Sequence, residues 1–158
     1  MLFRSCYEQT EKFAKNAGTF SHLDNLFQFG GFVNSLSNAL VAANVGIIIF
    51  FSSIVTPIVF KKLESQQASS YLRAFFPRLY ITLFITTFIA SLAAIDETAQ
   101  SILSIVAILF VVSFWPLTPA INSATDTGKI IKFKVLHSVS VFILIGQLVA
   151  FLFLLFNW

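Results

Sequence analysis

Few side chains in this sequence combine the type and the spacing that chemistry requires. The chain has two histidines, His22 and His137, and a single cysteine. A zinc site takes three or four ligands, and a bis-histidine haem takes two imidazoles that face each other. The sequence also lacks a glycine-rich phosphate loop, a nucleophile elbow, a His-Glu-x-x-His motif and an EF-hand loop. It therefore predicts no catalytic residue and no cofactor, and favours a protein that is not an enzyme.

His137 is the one histidine beside an apolar stretch, and three roles are open to it. It could form a hydrogen bond with Asp126, Asn122 or a backbone group. It could take part in proton transfer, because histidine titrates near neutral pH. It could also ligate haem or a metal, which would make the chain a membrane redox protein.

The elements that must position these side chains are four long apolar runs. Hydrophobic residues make up 57% of the chain and charged residues 11%, whereas a soluble domain carries roughly 25% charged residues. Runs of about 20 residues are long enough to cross a bilayer, and none of these holds a charge well inside it, where charge is costly. The sequence predicts an all-α integral membrane four-helix bundle in a lipid bilayer, with spans over about 36–60, 75–94, 102–121 and 135–156.

The chain divides into two parts by composition. Residues 1–31 are a polar, amphipathic N-terminal leader, which the glycine pair Gly30-Gly31 is predicted to end. Residues 32–158 form the four-helix membrane domain.

Basic residues predict the orientation, because lysine and arginine are enriched in cytoplasmic loops. Lys61, Lys62 and Arg73 lie between spans one and two, and Arg78 lies just inside span two. Lys129, Lys132 and Lys134 lie between spans three and four. The two basic loops are therefore predicted to be cytoplasmic, with both termini outside a bacterial plasma membrane. Because the bases sit in loops and not along one face, we expect no nucleic acid as a partner.

Residues unusual in a membrane helix gather at the predicted inner face. The candidate functional cluster is Pro57, Phe60, Phe76, Pro77, Tyr80, Pro119, Asn122, Asp126, His137 and Ser140. Pro57 and Pro119 either end their helices or act as hinges around a polar inner vestibule. Pro77 fits the first turn of span two. Each half of the chain has a helix ending near Thr-Pro, a basic loop and a helix opening with aromatic residues, which indicates two pseudo-repeated hairpins.

A second set of polar residues recurs at helical spacing inside the spans. Such groups point towards other helices, because lipid offers them no partner. They either hold the helices together or line a path for a solute. The set is Asn44, Ser52, Thr56, Thr82, Thr86 and Gln147.

Several of these residues resemble a known family. The pattern is Pro57-Ile58-Val59-Phe60, Phe76-Pro77, Tyr80, Asn122, Asp126, Phe133, Leu136-His137 and Ser140. It is similar to the transmembrane-protein-205-like family of small four-span proteins, whose domain has no known function. Its layout resembles membrane proteins of the copper-resistance and haem-biosynthesis type, and an animal relative is associated with drug resistance. This chain departs from the family in lacking an early tryptophan-glycine pair, and its one methionine and two histidines are few for a copper path.

These observations favour a small-molecule export or stress-tolerance component with a polar cluster at the cytoplasmic face. It would act in a homo-oligomer or with a membrane-protein partner. One alternative is a haem- or metal-binding redox protein that uses His137. The other is a structural or assembly partner without a ligand.

Overall fold

The computed structural model describes residues 28–157, which fold into four long helices. These are α1 (Gln28–Lys62), α2 (Ser65–Ala93), α3 (Glu97–Asp126) and α4 (Ile130–Asn157). With 28 to 35 residues each, the helices are about 42 to 53 Å long, more than the ~30 Å hydrocarbon layer requires. Residues 28–157 contain no β-strand. The predicted all-α four-helix membrane bundle is confirmed.

The four predicted spans lie within these helices to within one residue, but the helices extend further. Two expectations about their ends are wrong. The glycine pair Gly30-Gly31 does not end a segment, since α1 runs through it. Pro77 does not lie in a first turn, because α2 begins at Ser65, twelve residues earlier. The polar residues that open α2 form helix readily outside the hydrocarbon, where water can solvate their side chains.

The leader up to residue 27 and Trp158 lie outside the described residues. The predicted character of the leader therefore stays a prediction.

Two short connections join α2 to α3 and α3 to α4. Asp96 caps α3, since its carboxylate accepts a 2.7 Å hydrogen bond from the backbone N–H of Ala99. Gly128 follows α3 with a φ of +65°, a left-handed conformation that glycine adopts without strain. The turn there lets the Lys129 N–H donate to the Ala124 carbonyl at 2.9 Å.

The core between the helices is built around buried aromatic rings. Phe110 of α3 and Phe151 of α4 are fully buried, with ring centroids 6.3 Å apart. Tyr80 of α2 lies 6.5 Å from Phe110, and Val41 of α1 belongs to the same buried cluster. One core therefore contacts all four helices.

Polar groups also join neighbouring helices. The buried Asn44 side chain of α1 donates to Thr87 at 3.0 Å and accepts from Thr86 at 2.7 Å. The Ser37 hydroxyl donates to the Ala90 carbonyl at 2.7 Å, and the Ser91 and Ser104 hydroxyls pair at 2.8 Å across α2 and α3. Such bonds hold membrane helices together because lipid cannot replace them.

Two π-helical segments interrupt the regular winding, one in each hairpin. The first π segment is Phe51–Val55 in α1, and the second is Ser113–Leu117 in α3. Each is followed by Thr-Pro. In both, the threonine donates twice to the carbonyl five residues earlier, once from its backbone N–H and once from its hydroxyl.

Neither Thr-Pro pair ends its helix. Beyond the prolines, α1 continues to Lys62 and α3 to Asp126. The π register absorbs the disturbance to the hydrogen-bond ladder, as π-bulges do in other helices. The interpretation of these prolines as helix ends is therefore wrong, and the hinge interpretation stays a prediction.

Candidate functional site

An open groove of about 800 Å³ lies against the second π segment, between α2 and α3. Pro77 provides the α2 wall. Two rows of α3 residues, each spaced four apart, provide the rest: Phe114, Thr118, Asn122 and Asp126, and Trp115, Pro119 and Ser123. Residues four apart share one face of a helix, about 6 Å from rung to rung. The groove therefore has aromatic rings at one end and polar side chains towards the other.

The polar end of the groove carries an ion pair that joins α2 to α3. The Arg73 guanidinium donates to both oxygens of the Asp126 carboxylate, at 3.0 and 2.7 Å. It also donates to the Ser69 hydroxyl at 3.3 Å. Because the two side chains are 32% and 59% exposed, the pair adds little stability, but it neutralises the one charged residue of the groove lining. Asp126 thus bonds to Arg73 and not to His137.

The bundle is strongly asymmetric in charge. One end holds the basic residues Lys61, Lys62, Arg73, Arg78, Lys129, Lys132 and Lys134. This basic end also holds the acidic residues Glu64 and Asp126, and the opposite end of the described helices has only the acidic Asp96 and Glu97. The polar end of the groove lies at the basic end. A ligand there would be surrounded at longer range by positive charge.

The structure brings four members of the predicted cluster together in the groove: Pro77, Pro119, Asn122 and Asp126. Tyr80 and Ser140 lie deeper, where their hydroxyls share a 3.4 Å hydrogen bond between α2 and α4. Phe76 stacks on Tyr80 with ring centroids 5.9 Å apart. These three residues contact one another or the core and do not line the groove.

Pro57, Phe60 and His137 are not part of the groove. Pro57 and Phe60 are exposed on α1, with Phe60 64% exposed. His137 is exposed on α4 and stacks on Phe133, with ring centroids 5.6 Å apart and planes 9° from parallel. It forms no side-chain hydrogen bond with another residue in the range 28–157.

The second polar set divides into inter-helix and local contacts. Asn44 and Thr86 join α1 to α2 as described above, and Gln147 of α4 donates to the Val106 carbonyl of α3 at 3.3 Å. Thr56 bonds to the Phe51 carbonyl and Thr82 to the Arg78 carbonyl, each within its own helix. Ser52 is exposed.

The predicted cluster missed four residues of the groove lining and the partner of Asp126. The four are Phe114, Trp115, Thr118 and Ser123. The four-residue spacing of Trp115, Pro119 and Ser123 beside the Thr-Pro pair was the available signal. Arg73 lies 53 residues from Asp126 along the chain, and no local pattern marks the pairing.

Within residues 28–157, no three His, Cys, Asp or Glu side chains are close enough to hold a metal ion. His22 lies outside this range. The haem and metal alternatives stay predictions, and they would be tested by looking for a Soret band that disappears in His137→Ala.

Four membrane-length helices, joined by buried hydrogen bonds and an aromatic core, define a multi-pass α-helical membrane protein. A family model described as Domain of unknown function (DUF4149) matches residues 39–154, and the chain belongs to this family. The matched range includes both π segments and the whole groove. Comparisons with curated proteins and with solved structures find no match.

Proposed function

We propose that this protein binds a small amphiphilic molecule in the groove between α2 and α3 and serves as a small-molecule export or stress-tolerance component. The observation that supports this is the convergence of Pro77, Pro119, Asn122 and Asp126 on one open groove. Ligand sites combine apolar walls with a few convergent polar groups, and this groove has both. Its aromatic end suits an apolar chain, and its polar end suits a head group.

Trp115 provides a direct test, because it lines the groove and the chain has only two tryptophans. In a Trp158→Phe variant, Trp115 is the sole emitter. A brominated long-chain amphiphile should quench its fluorescence saturably in detergent or vesicles. Quenching that rises only linearly with probe concentration would contradict the proposal.

Filling the groove provides the matched control. Ser123→Phe places a ring in the groove and should abolish saturable quenching. Ser101→Phe makes the same change on an exposed site near the other end of α3 and should leave it intact. Equal effects of the two variants would argue against a site in the groove. The export step would be tested by release of a fluorescent amphiphile from proteoliposomes, with Ser123→Phe as the inactive variant.

The proposal places the chain in a bacterial plasma membrane, with both termini outside and both basic loops in the cytoplasm. This location rests on the concentration of the described lysines and arginines at one end of the bundle. A cysteine in place of Ser123 should resist a membrane-impermeant reagent added to intact cells, whereas one in place of Asn157 should react. The reverse result would invert the orientation.

Two further parts of the proposal concern kinship and assembly. We place the chain near the transmembrane-protein-205-like family, whose resembling residues all lie within the matched range 39–154. Because the groove is open on one side, two copies facing each other would enclose a path that one copy leaves open. Crosslinking in native membranes that gives a discrete dimer would support this homo-oligomer, and a monomer alone would count against it.

A further inference from the structure

One backbone carbonyl in the lining of the groove lacks its regular backbone donor. In the second π segment, the Thr118 N–H bonds to the Ser113 carbonyl, five residues back. The next N–H in this register would bond to the Phe114 carbonyl, but that residue is Pro119, which has no N–H. The Thr118 hydroxyl is also committed to the Ser113 carbonyl, at 2.7 Å. Thr118 and Pro119, the residues four and five positions after Phe114, therefore supply no donor to the Phe114 carbonyl.

The Phe114 carbonyl belongs to a stretch of α3 that lines the groove. Helix carbonyls point towards the C-terminal end of the helix, so the Phe114 oxygen points at the turn that holds Thr118 and Pro119. All three residues line the groove. Phe114 also lies within the apolar stretch 102–121, where lipid chains offer no hydrogen-bond donor. A bound molecule with a donor would satisfy the carbonyl.

The surrounding groups favour a neutral donor over a charged one. The carboxylate of Asp126 is three rungs away, about 18 Å along the helix, and is already paired with Arg73. A cation at the Phe114 level would therefore have no counter-ion inside the hydrocarbon, where an unpaired charge is strongly disfavoured. The nearest polar side chains in the same row, Thr118 and Asn122, are also uncharged.

We propose that the groove selects a neutral amphiphile with a hydroxyl group, whose O–H donates to the Phe114 carbonyl while its apolar chain lies against Trp115. This inference rests on the proposed function, since it names the class of molecule that the groove takes. It is independent of the transport step.

The first π segment provides an internal control. There the Thr56 N–H bonds to the Phe51 carbonyl, and Pro57 leaves the Ser52 carbonyl without a backbone donor for the same reason. Ser52 and Pro57 are exposed on α1 and do not line the groove. The Thr-Pro pattern thus occurs in both segments, but the second segment also contains Pro116 and lines the groove.

The experiment compares 1-dodecanol with dodecyl methyl ether, two probes that differ in the single O–H. Each probe is titrated into vesicles that contain the Trp158→Phe protein and the brominated amphiphile. The recovery of Trp115 fluorescence measures displacement of the brominated amphiphile. Probe concentrations are expressed as mole fractions in the membrane. The alcohol should bind about tenfold more tightly, equivalent to about 1.4 kcal/mol. Pro119→Ala supplies an N–H to the Phe114 carbonyl and should reduce this preference to about onefold, whereas Pro57→Ala should leave it at tenfold.

Each outcome has a distinct meaning. If the alcohol and the ether bind equally to the Trp158→Phe protein that keeps Pro119, the inferred selectivity for a donor is wrong, but the groove remains a binding site. If neither probe displaces the quencher and quenching was never saturable, the proposed function itself fails. If dodecylammonium binds more tightly than the alcohol, the occupant is a cation and the neutral class is wrong. If the preference persists in Pro119→Ala, the Phe114 carbonyl is not the acceptor.

Discussion

The two hairpins carry the same backbone device in different surroundings. In α1, Phe51 of the π segment is buried against Phe75 and Phe76 of α2. The other side of the same stretch is exposed, with Ile54, Ile58 and Phe60. In α3, the corresponding segment faces Pro77 of α2 across the groove. The Arg73–Asp126 ion pair joins α2 to α3. In the first hairpin the acidic residue at the matching distance from Thr-Pro is Glu64, which lies between α1 and α2 and has no ion-pair partner among the described residues. In both hairpins the proline leaves a carbonyl without its backbone donor, but the groove described above is lined only by residues around the second π segment and by Pro77.

The largest expected difference between the hairpins concerns the aromatic residues that precede each π segment. Phe110→Ala removes a fully buried ring that contacts Tyr80 and Phe151, and should destabilise the bundle by about 3 kcal/mol. Phe50→Ala removes a ring that is 56% exposed and should change stability little. Unfolding in mixed micelles of increasing SDS fraction measures both. Similar losses for the two variants would contradict the assignment of the core.

The two buried amides, one in each hairpin, should respond in opposite directions to leucine. Asn44→Leu breaks two bonds to Thr86 and Thr87 and should cost about 1 kcal/mol, within the range for membrane hydrogen bonds. Gln147 makes one 3.3 Å bond, and its side-chain oxygen is buried without a partner among the described residues.

Gln147→Leu should therefore be neutral or slightly stabilising, because it removes an unsatisfied acceptor. The same SDS titration provides the measurement. A clear loss of stability in this variant would indicate that the Gln147 oxygen has a partner.

Replacing the threonine of each Thr-Pro pair should show which of the two affects amphiphile binding as well as the stability of the bundle. Thr118→Val and Thr56→Val each remove one hydroxyl bond to a carbonyl five residues back, which is worth about 1 kcal/mol. We expect similar losses in SDS titration but a change in amphiphile binding at Trp115 only for Thr118→Val. A binding defect in Thr56→Val would mean that the first π segment also contributes to the site.

The smallest effect is expected for the ion pair. Asp126→Asn weakens the bidentate contact with Arg73 and should lower the SDS midpoint slightly at low salt and less at high salt, because the exposed pair is screened. Glu64→Gln, the counterpart in the first hairpin, should have no such salt-dependent effect. If both variants responded to salt in the same way, the two basic loops would not differ in having a stabilising ion pair.

Apolar length predicts the number of helices because each span must cross the hydrocarbon, but it does not predict where a helix ends in water. The polar run that opens α2 at Ser65 resembles a loop by composition, which is why Pro77 was assigned to a first turn. A π segment forms where a backbone N–H bonds to the carbonyl five residues back instead of four. The Thr-Pro pairs follow both π segments, but a Thr-Pro pair does not specify which of the two hydrogen-bond registers forms. The pairing of Arg73 with Asp126 depends on how α2 and α3 rotate about their own axes, which no spacing in the sequence encodes.

The second π segment holds one residue more than regular winding would need. A π turn closes one residue later than an α turn, so deleting one residue between Ser113 and Leu117 would restore regular winding and leave the flanking stretches of α3 on nearly the same faces. Asp126 would then stay beside Arg73, and the Thr118 row would stay opposite Pro77. Evolution could thus gain or lose one codon in this segment while keeping the contact between α2 and α3.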